Sequence, residues 1–559
     1  MDRSLIVLPV VAAIGAASLI LRGRGRRAQR EKMAARWGRA DRPRQLDADD
    51  FRDIGAYCRE CGTLEPCAVD EITWNDLDMD AVFARLDRAC SNVGEEVLYD
   101  MLHRSDASDA ALARRARIVG AVAQDAQCRA RMRMALSRLG HARFHGAHAH
   151  LFHPETRRPA HAALYPVLGL APVALALLGL LFPACFLGVA VMFAVNLVVY
   201  YRGSRVFMKE IAAVRHIAAV IETARRLERC LPPQLSDIAQ DMHAHVERLR
   251  PVRRWSALFA MQRVSDLDFL TDYVRILFQL DMICLCRLSA CFARENESLR
   301  ALYALIGEID ACLAVASWRD ARGDTCVPEF ADEMRVTAQN LVHPLVKEPV
   351  GNDIDWTRGA LLTGSNASGK STFIKALAVN AILAQTVGVC TAGALRMPRA
   401  RVMTSMALRD SVRGGESYFV VEVRSLKRML MQVQSGDRVL CMIDEILRGT
   451  NTTERIAASA AFLRSLNRAN CLCMAATHDL ELTRLLGDYR QLHFSESLTP
   501  SGMDFPYKLA EGPSTTRNAI ALMRQMGFPR EIVEEAEQAA AGFDSAGCWD
   551  AGGYSARGR

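Results

Sequence analysis

The feature that most constrains this chain is a loop with glycine at both ends, placed between an apolar strand and an apolar helix. Residues 360–362 predict a buried strand, residues 364–369 form the loop, and Lys370, Ser371 and Thr372 open a helical pattern. The spacing is G-x-x-x-x-G-K-S, which is typical of a P-loop. Glycines let backbone N–H groups curl around a phosphate, and the following helix points its positive end at the same anion. The stretch therefore predicts a nucleotide-phosphate site.

The residue types in this loop assign roles in the binding of ATP and Mg²⁺. Lys370 would reach the β- and γ-phosphates and take part in catalysis, and the Ser371 hydroxyl would ligate Mg²⁺. The other predicted contacts to ATP come from the loop itself and from the start of the helix: Gly364, Ser365, Asn366, Ala367, Ser368, Gly369 and Thr372.

Two further apolar strands end in polar side chains. Residues 438–443 lead into Asp444 and Glu445, and residues 471–477 lead into His478. Asp444 would hold Mg²⁺ through water, and Glu445 would orient and deprotonate the attacking water. His478 stands where a polar residue senses the γ-phosphate. The alternative for Asp444 and Glu445 is an acidic pair on a surface strand, and the alternative for His478 is a structural histidine. The strand context favours the catalytic interpretation.

The net charge of +7 is concentrated in one segment. Residues 22–44 carry ten Lys or Arg against two acidic residues, a local net of +8, so the rest of the chain, at +7 minus +8, is −1. A basic run beside an apolar segment indicates a membrane flank more than a nucleic-acid surface. The 17 cysteines are scattered, several of them within apolar strands and helices, which favours thiols in a reducing cytosol.

Two apolar stretches predict membrane spans. Residues 4–21 are uncharged and just long enough to cross a bilayer, and the arginine-rich segment after them predicts an uncleaved anchor rather than a signal peptide. Residues 164–201 contain no charged residue and have Pro183 near their middle, so a hairpin of two spans is favoured over a buried hairpin of a soluble core. Arginines on both flanks of the hairpin predict three spans in the cytoplasmic membrane, with the rest of the chain in the cytoplasm.

Composition predicts six segments in this 559-residue chain. They are an anchor with an arginine-rich segment (1–45), a helical region (46–160), the hairpin (161–203), a second helical region broken at Pro232-Pro233 and near Gly323 (204–335), an α/β ATPase domain (336–540) and a disordered tail rich in Gly, Ala and Ser (541–559).

Two clusters of possible metal ligands occur in the first helical region. Cys58-x-x-Cys61 followed by Cys67 has metal-like spacing without a fourth ligand, so free thiols are favoured over a metal site. Six histidines precede the hairpin, and a polar loop is favoured over a metal site or a pH sensor because their spacing defines no single face. They are His141, His145, His148, His150, His153 and His161.

Several motifs together resemble the MutS-type mismatch-repair ATPases, a branch of the ABC-like P-loop ATPases. Residues 444–450 resemble that family's D-E-I-G-R-G-T box, with Leu447 where glycine is usual. Residues 364–371 resemble its G-P-N-M-G-G-K-S loop, residues 416–419 its R-S-T-F signature, and Thr477-His478 its T-H switch. Residues 505–529 resemble the helix–turn–helix that completes the family's dimer.

The resemblance implies an α/β P-loop ATPase domain (ABC-like, MutS-type) preceded by an all-α core and lever region with inserted transmembrane helices. It implies a homodimer in which Ser417 reaches the γ-phosphate in the partner subunit. It also implies that Asn352 lies near the adenine, while Pro349 stands where the family has a stacking phenylalanine. We find no N-terminal mismatch-reading domain and no C-terminal nuclease-like domain.

The predicted function is a membrane-tethered ATPase in which ATP, sandwiched between two protomers, gates a DNA-binding clamp. The alternative is an ATP-gated clamp that acts on a membrane or protein partner without DNA. The near-neutral charge outside residues 22–44 favours the alternative, since DNA affinity depends largely on phosphate neutralisation. Half of an ABC transporter is disfavoured, because three spans are few and no L-S-G-G-Q signature occurs.

Overall fold

The structure is a computed structural model. It describes residues 35, 37–39, 44–63, 68–105, 108–143, 146–153, 162–252, 268–365, 368–406, 418–499, 502–514 and 519–546. Several predictions lie outside these ranges: the anchor at 4–21 with most of its arginine-rich flank, Cys67, His145, His161, Asn366, Ala367, Ser417 and residues 547–559.

The described chain forms two compact units. The first comprises the described parts of Met1–Ala68, Asp80–Gly323 and Thr386–Gly388, and the second those of Val69–Met79, Asp324–Gln385 and Val389–Arg559. The helices in chain order are α1 Ala48–Gly62, α2 Glu71–Asp76, α3 Met79–Leu86, α4 Asn92–His103, α5 Asp109–Gln124, α6 Ala126–Leu136, α7 Ala147–Phe152, α8 Leu164–Gly179, α9 Cys185–Val206, α10 Met208–Glu228, α11 Ser236–Arg248, α12 Asp268–Leu277, α13 Leu280–Arg294, α14 Asn296–Arg322, α15 Lys370–Thr386, α16 Tyr418–Gln434, α17 Thr452–Leu466, α18 Glu481–Leu485, α19 Ala519–Gln525 and α20 Arg530–Ala546.

The strands belong to the second unit and are β1 Glu329–Phe330, β2 Val336–Leu341, β3 Asn352–Trp356, β4 Ala360–Thr363, β5 Ala394–Met397, β6 Arg401–Ser405, β7 Val439–Asp444, β8 Cys471–Ala476, β9 Arg490–Phe494, β10 Ser497–Thr499, β11 Gly502–Asp504 and β12 Leu509–Glu511. The predicted boundary at 336 is therefore late, because β1 begins at Glu329 and pairs in parallel with β5. A two-residue strand has too short a pattern to be recognised in sequence.

The core of the first unit is built around α14, which packs against α4 and α5. Two glycines allow this approach. A Cβ on Gly307 would lie 2.3 Å from a methyl group of Val97, and one on Gly94 would lie 2.4 Å from the carboxylate of Asp310. Asp310 is fully buried and accepts a hydrogen bond from the Ser91 hydroxyl at 2.6 Å. The helix is therefore held by close packing and by a satisfied buried carboxylate.

Helices α8 and α9 lie over the two predicted spans of the hairpin. Their outer faces are apolar and open, with Leu170 67% exposed and Leu187 73% exposed. Among the described helices, the stretch Cys185–Gly203 is long and apolar enough to cross a bilayer, with mean hydropathy 1.7, and Leu164–Gly179 is apolar but shorter. On the inner side, the buried Asn196 amide donates to the carbonyls of Leu168 and Leu277 at 2.9 and 2.8 Å, which ties α9 to α8 and α12.

The second unit contains a six-stranded sheet in the order β12-β9-β4-β8-β7-β6. The five strands from β9 to β6 are parallel, and β12 is antiparallel to β9. Every residue of β4 and β8 is buried, as a parallel sheet covered on both faces requires. A second sheet has the order β1-β5-β2-β3. The carboxyl ends of the parallel strands form one edge, and the predicted site residues follow those ends.

One helix predicted within the region 46–160 belongs to the second unit. Asp76 at the end of α2 accepts hydrogen bonds from the Thr404 hydroxyl at 2.7 Å and the Met406 amide at 3.1 Å. Asp70, which caps α2, pairs with Arg428. The α/β unit is therefore not simply preceded by the helical region. The local pattern of α2 predicts a helix but not the unit to which the helix belongs. Its partners lie more than 300 residues away in sequence, and sequence periodicity does not indicate such distant contacts.

The end of the chain also differs from the prediction. Helix α20 continues to Ala546, so it includes the first residues of the predicted disordered tail that begins at Ala541. Alanine has the highest helix propensity, and the run Ala539–Ala541 sits inside a helix already nucleated at Arg530.

Candidate functional site

The predicted P-loop joins the buried strand β4 to helix α15. Its two terminal glycines have φ values of +137° at Gly364 and +109° at Gly369, in the region that side chains disfavour. A Cβ on Gly364 would lie 2.7 Å from the carbonyl oxygen of Phe494. Inside the loop the Ser368 hydroxyl donates to the Ser365 carbonyl at 2.8 Å. The loop therefore needs glycine for both backbone conformation and close packing.

Lys370 folds back onto the loop and is buried, retaining only 4% of its accessible surface. The Nζ atom donates to the carbonyl oxygens of Gly364 and Ser365 at 2.8 and 2.7 Å. Burial lowers the pKa of Lys370 to about 8, partly opposed by the nearby charge of Asp444. Lys370 is thus held by neutral carbonyl groups that a phosphate, with its full negative charge, would displace.

The register of the sheet brings the three predicted strand ends together. Leu362 of β4 and Asp444 of β7 both pair with Ala476 of β8. Just beyond the strands, the Thr477 amide donates to the Leu362 carbonyl, and the Glu445 amide donates to the Ala476 carbonyl, both at 3.0 Å. The strand that carries His478 therefore lies between the strand of the loop and the strand of the two carboxylates.

Glu445 and His478 are in hydrogen-bond contact. The Nε2 atom of His478 is 2.9 Å from Oε1 of Glu445 and 3.5 Å from Nζ of Lys370. Burial, and next the charge of Lys370, lower the pKa of His478, so the ring is neutral near pH 7. We assign the proton of the neutral ring to Nε2, because a carboxylate can only accept, and His478 is then a donor to Glu445. Arg448 also pairs with Glu445.

The segment after His478 is held by a bidentate ion pair that sequence reasoning missed. Arg455 on α17 donates from Nε and Nη2 to the two carboxylate oxygens of Asp479 at 2.9 and 2.7 Å. The Asp479 amide donates to the Thr477 hydroxyl at 3.0 Å. The side chains of the pair are mostly buried, and a fork-to-fork pair fixes orientation as well as distance. The pair therefore fixes the backbone on both sides of His478.

Asp444 and Ser371 supply the oxygen atoms that the prediction assigns to Mg²⁺. Within the described residues, Oδ1 of Asp444 is buried and has no hydrogen-bond partner. Ser371 is exposed at the first turn of α15. Carboxylate and hydroxyl oxygens are hard donors that suit Mg²⁺, and a buried carboxylate oxygen normally has a partner. These residues fit the ion.

A cavity of about 520 Å³ adjoins the loop. Lys370, Ser371 and Thr372 line one side, and mostly apolar residues line the rest: Leu341, Val342, Val346, Pro349, Val350, Phe373, Phe494 and Tyr507. Tyr507 was not singled out from sequence. A Cβ on Gly369 would lie 3.1 Å from its ring, so the tyrosine borders the loop directly. Its ring is a flat apolar surface beside the predicted phosphate site.

Asn352, predicted near the adenine, lines the same cavity. Its amide is already engaged: Nδ2 donates to the Tyr507 carbonyl at 3.0 Å, and Oδ1 accepts from the Leu509 amide at 2.8 Å. Asn352 therefore positions the segment that carries Tyr507. Pro349, which stands in place of the family's phenylalanine, also lines the cavity.

Three members of the two clusters of possible metal ligands, Cys67, His145 and His161, lie outside the described residues. Within the described residues no group of three or more His, Cys, Asp or Glu could hold a metal ion. Cys58 and Cys61 are thiols in α1, and burial raises the pKa of Cys61 to about 11. His141 contacts the carboxylate of Glu95 at 2.6 Å, and His153 contacts that of Glu60 at 2.9 Å.

Comparison with known proteins finds similarity over part of this chain. Residues 360–544 match the family model for MutS domain V. The chain is 30% identical over 249 residues to the DNA mismatch repair protein MutS of Thermus thermophilus, which covers 44% of this chain and 30% of that relative. The DNA mismatch repair protein MutS of Thermus aquaticus gives the same figures. The DNA mismatch repair protein MutS 2 of Halobacterium salinarum is 30% identical over 258 residues, 44% of this chain and 29% of that relative.

The chain spans about 30% of the length of these curated relatives. The matched segment contains the loop, both carboxylates, His478 and Tyr507. The predicted resemblance is therefore confirmed over this segment, which is similar to domain V of the MutS proteins.

Proposed function

We propose that this chain binds and hydrolyses ATP, with Mg²⁺, at the loop formed by residues 364–369. The observation that carries the proposal is the meeting of Lys370, Glu445 and His478 within hydrogen-bond distance at one edge of a parallel sheet. A cavity that adjoins Lys370, lined in part by apolar side chains, is large enough to take a base and ribose. The similarity of residues 360–544 to MutS domain V adds ATPase chemistry as the expected activity.

In the proposed reaction Glu445 accepts a proton from water as the water oxygen attacks the γ-phosphorus and the bond to the β–γ bridging oxygen breaks. His478, neutral and donating to Glu445, holds the carboxylate in place. Lys370 leaves the carbonyls of Gly364 and Ser365 and binds the phosphates. Ser371 and Asp444 would hold Mg²⁺, which neutralises charge on the phosphate oxygens when bound. Positioning and electrostatics supply most of the catalysis in such a site.

The proposal includes a homodimer. Ser417 would reach the γ-phosphate bound by the partner subunit, as residues 416–419 resemble the family signature. A mixture of Ser417→Ala and Lys370→Ala proteins would then form one intact composite site per mixed dimer. Partial ATPase activity in the mixture, from two proteins that are inactive alone, is the expected result, and a mixture as inactive as its components would contradict the shared site.

We propose that α8 and α9 span the membrane, together with residues 4–21. The exposed apolar faces of the two helices support this, because single exposed apolar residues are ordinary but a continuous apolar face on two adjacent helices is not. The absence of charge across residues 164–201 and the arginines at both ends agree with a span entered and left on the cytoplasmic side.

Two kinds of partner are considered for the proposed clamp. The relatives are DNA mismatch repair proteins, which favours DNA as the partner that the clamp encloses when ATP binds. The charge of −1 outside residues 22–44 favours a membrane or protein partner instead.

The test is DNA binding by the full chain in nanodiscs, with matched, mismatched and branched duplexes at fixed salt, with and without ATP. Lys370→Ala is the control. Binding that requires ATP and is lost in the control supports the DNA clamp, and the preferred duplex identifies its substrate. No binding to any duplex while ATPase activity is intact would exclude DNA and leave the protein or membrane partner.

A further inference from the structure

The turn that follows the two carboxylates has an unfavourable backbone. Glu445 and Leu447 have φ values of +58° and +56°. The left-handed region is unfavourable for a residue with a Cβ, and Leu447 stands where the family has glycine. The Leu447 side chain is buried in the core beside β7, so packing favours leucine at this position while the backbone opposes it. Some other contact must hold the turn in this conformation.

Glu422 provides that contact. It lies on α16 and is 7% exposed, and its Oε1 atom accepts a hydrogen bond from the Leu447 amide. Burial raises the pKa of Glu422, and the hydrogen bond from the Leu447 amide and the Arg448 charge lower it in part. A hydrogen bond from a backbone N–H group to a buried carboxylate is a strong, oriented contact.

The same helix supports the turn at a second point. A Cβ on Gly449 would lie 2.9 Å from the Cβ of Phe419, so Gly449 packs directly against the Phe419 side chain in the first turn of α16. The turn between Glu445 and Gly449 is thus fixed by Glu422 near its middle and by Phe419 at its end. Glu445 is at the other end, where its carboxylate meets His478.

We propose that Glu422 is a positioning residue for the reaction, whose carboxylate holds Leu447 in the left-handed conformation and thereby places Glu445 for attack on water. The proposal rests on the hydrolysis of ATP proposed above. Glu422 contacts neither the phosphate loop nor the cavity among the described residues, so its removal changes the geometry of Glu445 and leaves the nucleotide contacts in place.

The test uses Glu422→Ala alone and with two substitutions at position 447. A misplaced catalytic group lowers kcat by roughly 10²-fold, and the Kd for ATP stays near the wild-type value. Glycine adopts the left-handed conformation without a penalty, so Leu447→Gly in the Glu422→Ala background raises kcat again by about 5- to 30-fold. Leu447→Ala removes the same packing but keeps a Cβ, and it gives no recovery.

Wild-type kcat in Glu422→Ala, or equal recovery by Leu447→Ala and Leu447→Gly, would overturn the proposal. The midpoint of thermal unfolding is measured on the same proteins. In the Glu422→Ala background, the midpoint should be higher with Leu447→Gly than with Leu447→Ala. This result does not depend on whether ATP is hydrolysed. If Glu422→Ala does not fold, Glu422→Gln and Glu422→Met are compared instead. Glutamine keeps an oxygen that can accept the hydrogen bond from the Leu447 amide, and methionine does not. The kcat of Glu422→Gln should therefore be higher than that of Glu422→Met. A wild-type protein without ATPase activity would refute the proposed function, while the unfolding comparison still decides whether Glu422 holds the turn.

Discussion

The environment of Lys370 predicts that ATP affinity depends on pH above neutrality. Burial lowers the pKa of Lys370 to about 8 in the nucleotide-free protein, whereas contact with a phosphate favours the ammonium and raises the pKa. Lys370 is then about nine-tenths protonated at pH 7 and about one-tenth at pH 9. If the protonated form binds, the Kd for ATP rises by about tenfold over this interval. The phosphate stays ionised throughout, because phosphate monoesters have a second pKa near 6.

The assay is isothermal titration calorimetry at pH 7, 8 and 9 in two buffers with different enthalpies of ionisation. Binding at pH 8 should take up about half a proton, since Lys370 is half protonated there before binding. Lys370→Arg is the matched control, because arginine keeps its charge at every pH used and should show neither the uptake nor the rise in Kd. A Kd that is constant from pH 7 to 9, or release of protons, would refute the account of this lysine.

The lowered pKa of Lys370 affects folding stability in the opposite direction to ATP affinity. The folded-state pKa of Lys370 is below its unfolded value, so the buried charge costs stability below pH 8, and this cost is relieved as the pH rises through about 8. In mildly alkaline solution, the contribution of Lys370 to the free energy of unfolding of the nucleotide-free protein should therefore become more favourable, while the affinity for ATP falls. Urea unfolding of the wild type and of Lys370→Met at pH 7 and pH 9.5 would detect a pH-dependent difference between the two proteins.

Three further predictions concern other parts of the molecule. Arg455→Lys cannot replace the bidentate pair with Asp479, so kcat should fall by about tenfold with ATP affinity retained, and an unchanged kcat would show that the pair is dispensable. Tyr507→Ala should raise the Kd for ATP by about 5- to 100-fold if its ring stacks on the base, while Tyr507→Phe should bind as the wild type does; equal loss in both would point to the hydroxyl group instead. Val195→Arg places a charge near the middle of α9, on an exposed side chain, at a cost of about 3 kcal/mol at the centre of a bilayer, so less of the protein should float with membranes in a density gradient than for Val195→Leu, and equal flotation would contradict a span at this helix.

Sequence reasoning located the parts of the site that are encoded locally. The loop, the strand ending in Asp444 and Glu445, and the strand ending in His478 were predicted from runs of a few residues, because a parallel strand is a continuous apolar run and its catalytic residues follow it directly. The parallel sheet then places these ends at one edge. The contact between Glu445 and His478 followed from this arrangement, although the order of the strands could not be derived.

The missed features are those whose partners are distant in sequence. Tyr507 belongs to a segment far from the loop, and a lone tyrosine has no pattern that indicates a cavity. In the sequence, Glu422 is one polar residue of an amphipathic helix. Its role is visible only from its hydrogen bond with the Leu447 amide. Leu447 itself was visible as a departure from the family's glycine, and the strain that this departure implies needed the φ value to be recognised.

The measurement that tests the central claim most directly is single-turnover hydrolysis of ATP by the full chain, wild type against Glu445→Gln, with ATP binding measured on the same samples. We expect Mg²⁺-dependent hydrolysis by the wild type. We expect Glu445→Gln to bind ATP but to hydrolyse it roughly 10²- to 10⁴-fold more slowly, because a general base is lost. Hydrolysis at the wild-type rate by Glu445→Gln, or no hydrolysis by a wild-type protein that binds ATP, would contradict the claim.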